Sequence, residues 1–162
     1  MTRVAPTLRF LLSHPAHFIA LGFGAGLAPR APGTFGTLIA IPIAWLLREY
    51  APDVVHQAVI VVFLLLGFWA AAVTGRDLGS PDHGAIVWDE VVAFLAVLYF
   101  VGDSLLKIAV AFALFRFFDI VKPPPIRQLD AAMKTGIGVM LDDLLAAVYT
   151  LVVFALWKRL AE

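Results

Sequence analysis

Residues 86–101 read IVWDEVVAFLAVLYFV, so Asp89 and Glu90 stand inside an otherwise unbroken apolar run. A carboxylate is costly in such surroundings, whether the medium outside is lipid or packed protein. Two adjacent carboxylates also repel, and the remedies are a bound cation, a basic partner or protonation. The pattern returns at 138–147, GVMLDDLLAA, with Asp142 and Asp143. A further acid, Asp119, closes the apolar segment 108–118 three residues after Arg116. Carboxylates at the mouths of three apolar segments point to a metal site.

Composition supports a membrane setting for that site. Of the 162 residues, 62% are hydrophobic and 15% charged, and the mean hydropathy is +0.93. These values lie well outside soluble globular composition. The length fits one domain over 1–162. The formal net charge is zero, which leaves no electrostatic footprint for nucleic acid. Cysteine is absent, which excludes disulfides, thiolate metal sites and a cysteine-nucleophile phosphatase.

The sequence predicts an all-α polytopic membrane bundle of about five apolar helices. Residues 1–17 read as a short amphipathic lead-in, either an interfacial helix or a frayed terminus, with no pattern of a cleaved signal peptide. Residues 18–33 hold four glycines and two prolines, too many for a continuous helix, and predict a membrane-edge loop. The apolar segments follow at about 34–48, 54–73, 87–101, 104–121 and 138–157. The window 54–73 carries no formal charge and is long enough to span about 30 Å. Lys122 and three prolines stop the fourth segment.

If the segments cross alternately, one side collects Arg3, Arg9, Arg30, Arg76, Arg116, Lys122, Arg127 and Lys134. The other keeps Arg48, Lys107, Lys158 and Arg159. This asymmetry assigns the first side to the cytoplasm. Asp77, Asp82, Asp89, Glu90, Asp119, Asp130, Asp142 and Asp143 fall on that side too, against Glu49, Asp53, Asp103 and Glu162. The orientation rule does not count acids, so their clustering is a second observation.

Neighbouring acids on a helix diverge by about 100°, so each pair offers one carboxylate inward. Such acids suit Mg²⁺, which takes one or two carboxylates together with water and substrate phosphate. Asp89, Glu90, Asp119, Asp142 and Asp143 are therefore the expected metal-binding and catalytic residues. The competing role is stabilisation of helix N-termini. Arg116 and Asp119 share a helix face, as a plain ion pair or as a phosphate clamp beside a ligand or base. Lys122 is a second phosphate contact. Gly33, Thr34, Gly36 and Thr37, where a helix begins, fit an anion-binding turn or simply a close-packed cap, with Arg30 a headgroup contact beside them. His83, in a glycine-rich loop, reads as a ligand or general acid or simply as a solvated loop residue. His14, His17 and His56 carry no legible signal.

Four blocks resemble the phosphatidylglycerophosphatase A family: 26–29 GLAP with 31–37 APGTFGT, 83–90 HGAIVWDE, 115–123 FRFFDIVKP and 136–143 GIGVMLDD. Their order and spacing agree from about residue 20 onward. Thr37 stands where serine is expected, and Ala147 where glycine is usual. The resemblance implies a Mg²⁺-dependent lipid phosphatase of the cytoplasmic membrane. It would release the terminal phosphate of phosphatidylglycerophosphate, with a phospholipid as substrate and no obligate protein partner. Water is the expected nucleophile, because no DxDx[TV] phosphoaspartate pattern is present. The alternatives are a metal-dependent alcohol phosphotransferase, whose DxxDG spacing is missing, and a non-enzymatic transporter or assembly protein, whose charges would sit near the membrane midplane.

Overall fold

The computed structural model describes residues 6–128 and 136–161, and all regular structure among them is helical. Two short helices, α1 (Leu8–Leu11) and α2 (Pro15–Ala20), lead into a 3₁₀ segment at Gly22–Leu27. The long helices are α3 (Pro32–Tyr50), α4 (Asp53–Leu78), α5 (Trp88–Val101), α6 (Leu105–Val121) and α7 (Gly136–Ala161). They match the five expected apolar segments to within a few residues at each end. The lead-in breaks at Ser13, and α2 crosses the expected boundary at residue 17.

Helix α5 is the axis of the molecule. Ten of its 14 residues are buried, among them Trp88, Val91, Phe94, Leu95 and Leu98. An apolar helix without a polar stripe must be covered on all sides, and α3, α4, α6 and α7 surround this one. By length and hydropathy only two described helices can cross a membrane, Asp53–Leu78 and Met140–Arg159 within α7. That is fewer than the five crossings expected. At 1.5 Å per residue α5 reaches only about 21 Å, short of the ~30 Å apolar layer of a bilayer. Its apolarity reflects protein around it rather than lipid.

Contacts set the helix directions. Gly33, in the first turn of α3, lies against Glu90 in the first turn of α5. Arg48, near the end of α3, donates to the Leu98 carbonyl near the end of α5. These two helices therefore run parallel. Helix α4 runs the other way: His56 packs edge-on to Tyr99, with ring centres 4.8 Å apart, while Gly67 lies against Trp88. A Cβ at Gly67 would stand 2.8 Å from the Trp88 ring and 2.6 Å from Met140, so the glycine lets three helices meet. The Trp88 indole N–H donates to the Phe63 carbonyl at 2.9 Å.

Beyond Gly67, α4 continues for another 11 residues to Leu78, about 16 Å. The N-terminal helices cover that extension. Buried His17 meets Asp77 there at 3.0 Å through Nε2, and the Phe10 ring stacks on the imidazole at 4.0 Å. The Val87 N–H donates to the Ala20 carbonyl at 2.9 Å, tying α2 to the start of α5.

Candidate active site

The starts of α3, α5 and α7 and the end of α6 converge at one end of the bundle. Asp89, Glu90 and Asp143 each offer a carboxylate oxygen there, all within 4.8 Å of one another. Asp89 and Asp143 are buried at 6% and 3% exposure. Each acidic pair divides its work at a helical turn. Asp89 Oδ1 accepts from the Glu90 N–H, and Asp142 Oδ1 accepts from the Asp143 N–H, both at 3.1 Å. Neighbouring side chains diverge on a helix, so Asp143 joins the trio while Asp142 turns toward α6.

The remaining two acids are held by cations. Arg116 Nη1 lies 2.6 Å from Asp119 Oδ2 and 3.6 Å from Glu90 Oε1, so it bridges two helices. Lys122 Nζ donates to Asp142 Oδ2 at 2.5 Å. Asp119 also stands beside Asp143. Among the described residues, the five expected ligands thus sort into a trio with no direct cationic cap on Asp89 or Asp143, and two acids that pair with a cation. The sequence treated the five alike because the Lys122–Asp142 pair closes over 20 residues of chain.

Helix α3 supplies the wall of this site. A Cβ on Gly33 would lie 2.1 Å from Glu90 Oε1 and 3.1 Å from Arg116 Nη1, so only glycine lets α3 approach the pair. Thr37 is buried and donates from Oγ1 to the Gly33 carbonyl at 2.8 Å, with Arg116 Nη1 3.5 Å from the same oxygen. Gly36 has a different role from the anion contact expected of it. Its Cβ would stand 2.7 Å from that of Val87, which makes it a packing contact between α3 and the approach to α5. Thr34 is half-buried in the first turn, and Arg30 is exposed on the preceding loop. His83 keeps to its loop, where Nδ1 accepts from the Ala85 N–H at 3.2 Å.

Two features of this end ask for a further group. Glu90 Oε2 and Arg116 Nε are buried without a hydrogen-bond partner among the described residues. A buried polar atom left unpaired is costly, and here one acceptor and one donor are left so within one cluster. The backbone is strained at the same end. Ala31, which caps α3, has φ 48°, and Lys122, which ends α6, has φ 46°. Non-glycine residues in this region cost about 1 kcal/mol or more and gather at functional sites. Three hard carboxylate oxygens with an unpaired acceptor fit a divalent cation such as Mg²⁺, and the neighbouring guanidinium and ammonium fit phosphate.

The family model for phosphatidylglycerophosphatase A matches residues 18–158. The chain belongs to the phosphatidylglycerophosphatase A family. Phosphatidylglycerophosphatase A of Haemophilus influenzae is 42% identical over 158 residues, covering 96% of this chain and 97% of that one. The protein of the same name in Escherichia coli K12 is 38% identical over 141 residues, covering 86% and 81%. A Bacteroides thetaiotaomicron protein whose name proposes a phosphatidylinositol-3-phosphatase is 40% identical over 144 residues, covering 85% and 89%. No solved structure matches the chain. Membership in the phosphatidylglycerophosphatase A family makes the chain a phosphatase.

Proposed function

We propose that this chain hydrolyses the terminal phosphate monoester of phosphatidylglycerophosphate, giving phosphatidylglycerol and inorganic phosphate. The observation that carries the reading is the convergence of Asp89, Glu90 and Asp143 beside Arg116 and Lys122 in a member of this family. Asp89, Glu90 and Asp143 would hold Mg²⁺. When bound, the ion offsets the charge of the phosphoryl oxygens and lowers the pKa of a water. Arg116 presents a planar fork of donors for the phosphate oxygens, with Thr37 and Asp119 fixing its head. Lys122 adds positive charge at the end of α6. Asp119, ion-paired with Arg116, would take the proton of the attacking water. Glycine at 33 keeps this wall free of side chain, which leaves Glu90 and Arg116 in register.

The setting is a bilayer. In this reading α4 and α7 cross at full length, and α3 and α6 complete the bundle around α5, which lipid does not touch. The excess of basic residues on the carboxylate side orients it toward the cytoplasm of the inner membrane. The site lies beside the middle of α4 rather than at its end, so the headgroup enters below the cap formed by α1, α2 and the 3₁₀ segment.

The test is phosphate release by the purified protein from phosphatidylglycerophosphate and from phosphatidylinositol-3-phosphate, each with Mg²⁺ and with chelator. Faster Mg²⁺-dependent turnover of the first substrate supports the reading. Preference for the inositol lipid moves the chain to the activity in the Bacteroides protein's name, and turnover unaffected by chelation removes the metal.

A further inference from the structure

A trough of about 550 Å³ lies between the 3₁₀ segment and the outer side of α3. Its origin is a strained turn in the lead-in. Gly22, Phe23 and Gly24 have φ of 54°, 56° and 113°, and the chain that follows them packs alongside α3. One flank of this segment is fixed against the approach to α5: a Cβ at Gly26 would collide with the Ala85 carbonyl, and one at Gly22 would stand 2.8 Å from Val87. The trough side carries mostly small residues, Gly24, Ala25 and Ala28. Phe35, Leu38, Ile39 and Pro42 recur along one face of α3 and form the other wall. Small residues opposite large ones leave the hollow open, and its described lining is apolar throughout.

The trough is built next to the carboxylate site. Phe23 meets Trp88 edge-on, with ring centres 5.4 Å apart, and Trp88 immediately precedes Asp89. Gly33 touches Glu90 and Arg116 from one side of α3, and Phe35, two residues on, opens the trough on the other. The site and the trough are thus separated by one helix thickness, about 10 Å. The glycerol and bridging phosphate of a phosphatidylglycerophosphate headgroup cover a similar distance when extended. Exposed Arg30 stands on the loop between Ala28 and α3, where that bridging phosphate would pass. Direction agrees as well. Helix α3 starts at the carboxylate end, so the trough runs from Phe35 to Pro42 away from that end, as the chain of a lipid in the same leaflet does. We propose that this trough holds one acyl chain of the phospholipid substrate, which straddles the first turn of α3 with its terminal phosphate at Arg116. The proposal deepens the phosphatase reading given above and rests on it.

The experiment compares kcat/KM of the purified full chain for long-chain phosphatidylglycerophosphate and for its deacylated, water-soluble headgroup. Ala28→Phe fills the trough from one wall and Leu38→Trp from the other. Each should lower kcat/KM for the lipid about tenfold, the equivalent of a few methylenes left unburied. Neither should change kcat/KM for the deacylated substrate by more than about twofold, which also certifies folding. Val61→Phe, on an exposed part of α4 away from the trough, is the control for general contact with lipid and should leave the ratio of the two substrates unaltered. A ratio unmoved by both trough variants would overturn the proposal. So would equal losses on both substrates, which would make the trough a support of the fold, or a shift as large in Val61→Phe. Phosphate release from neither substrate by the unaltered chain would remove the phosphatase reading and this proposal with it, whereas release from both with an unmoved ratio removes the trough alone.

Discussion

The two ends of α5 solve the problem of charge in opposite ways. At its start, Asp89, Glu90, Asp143 and Asp142 are brought inside and set against Arg116 and Lys122. At its finish, Asp53, Asp103 and Lys107 stay exposed, and Arg48 spends its guanidinium on the Leu98 carbonyl at the helix end. Backbone strain follows the same division. Among the described residues, the three non-glycine ones with positive φ (Phe23, Ala31 and Lys122) lie at or beside the first end, whereas the turn at the second uses Gly102. A fold that needed only stability would have treated both ends like the second. Burying like charges and holding strained residues beside them makes sense where a cation and a phosphate complete the balance.

This contrast is broken most directly by removing the trio. Asp89→Asn, Glu90→Gln and Asp143→Asn should each reduce phosphate release by about 10²-fold or more while the protein stays folded. Asp53→Asn and Asp103→Asn should turn over nearly as the unaltered chain does. A comparable loss at Asp53 or Asp103 would mean that acids serve folding at both ends alike.

Glycine positions sharpen the same point within one helix. Gly33→Ala drives a methyl group into Glu90 and Arg116, whose ends can move, so the damage falls on geometry: up to about 10²-fold in kcat for a shift near 1 Å. Gly36→Ala meets the Cβ and carbonyl of Val87, which cannot move independently, and should instead cost about 1–3 kcal/mol of stability. Thermal unfolding and turnover measured side by side separate the two. Equal effects of both kinds at both positions would merge them into a single packing stripe.

Arg116→Lys removes the fork but keeps the charge beside Asp119. The loss in kcat/KM should be about tenfold, with weaker inhibition by free phosphate. Unchanged turnover and phosphate inhibition would return Arg116 to a structural ion pair. The smallest effect belongs to the cap: His17→Ala should lower stability by about 1 kcal/mol, because Asp77 is 38% exposed, and leave turnover per folded molecule unaltered.

Much of this architecture was legible in the residues. Apolar segments, the stop at Lys122 and its prolines, and the alternation that gathers the acids all follow from periodicity and turn chemistry. The Arg116–Asp119 pair was legible as well, because a spacing of three on a helix leaves little freedom. Other features were not. An apolar helix looks the same in sequence whether lipid or protein surrounds it, so the burial of α5 emerged only from its neighbours. The separation of Asp142 from Asp143 depends on Lys122, which reaches it across a connection whose length says nothing of its path. Gly33 and Gly36 belong to one motif, yet one faces a carboxylate and the other a valine. His17 gave no sign in sequence, since its partner Asp77 lies 60 residues away.

In the proposed site Asp89, Glu90 and Asp143 act as one cation centre, and Asp142 stands outside it. Mn²⁺ replaces Mg²⁺ at hard oxygen sites and is visible by electron paramagnetic resonance. Titrated into the purified protein, Mn²⁺ should occupy a tight site that is weakened about 10-fold or more by Asp89→Asn, Glu90→Gln or Asp143→Asn. Asp142→Asn should leave that affinity close to unaltered. Equal weakening by all four substitutions, or tight binding that survives loss of the trio, would contradict this assignment.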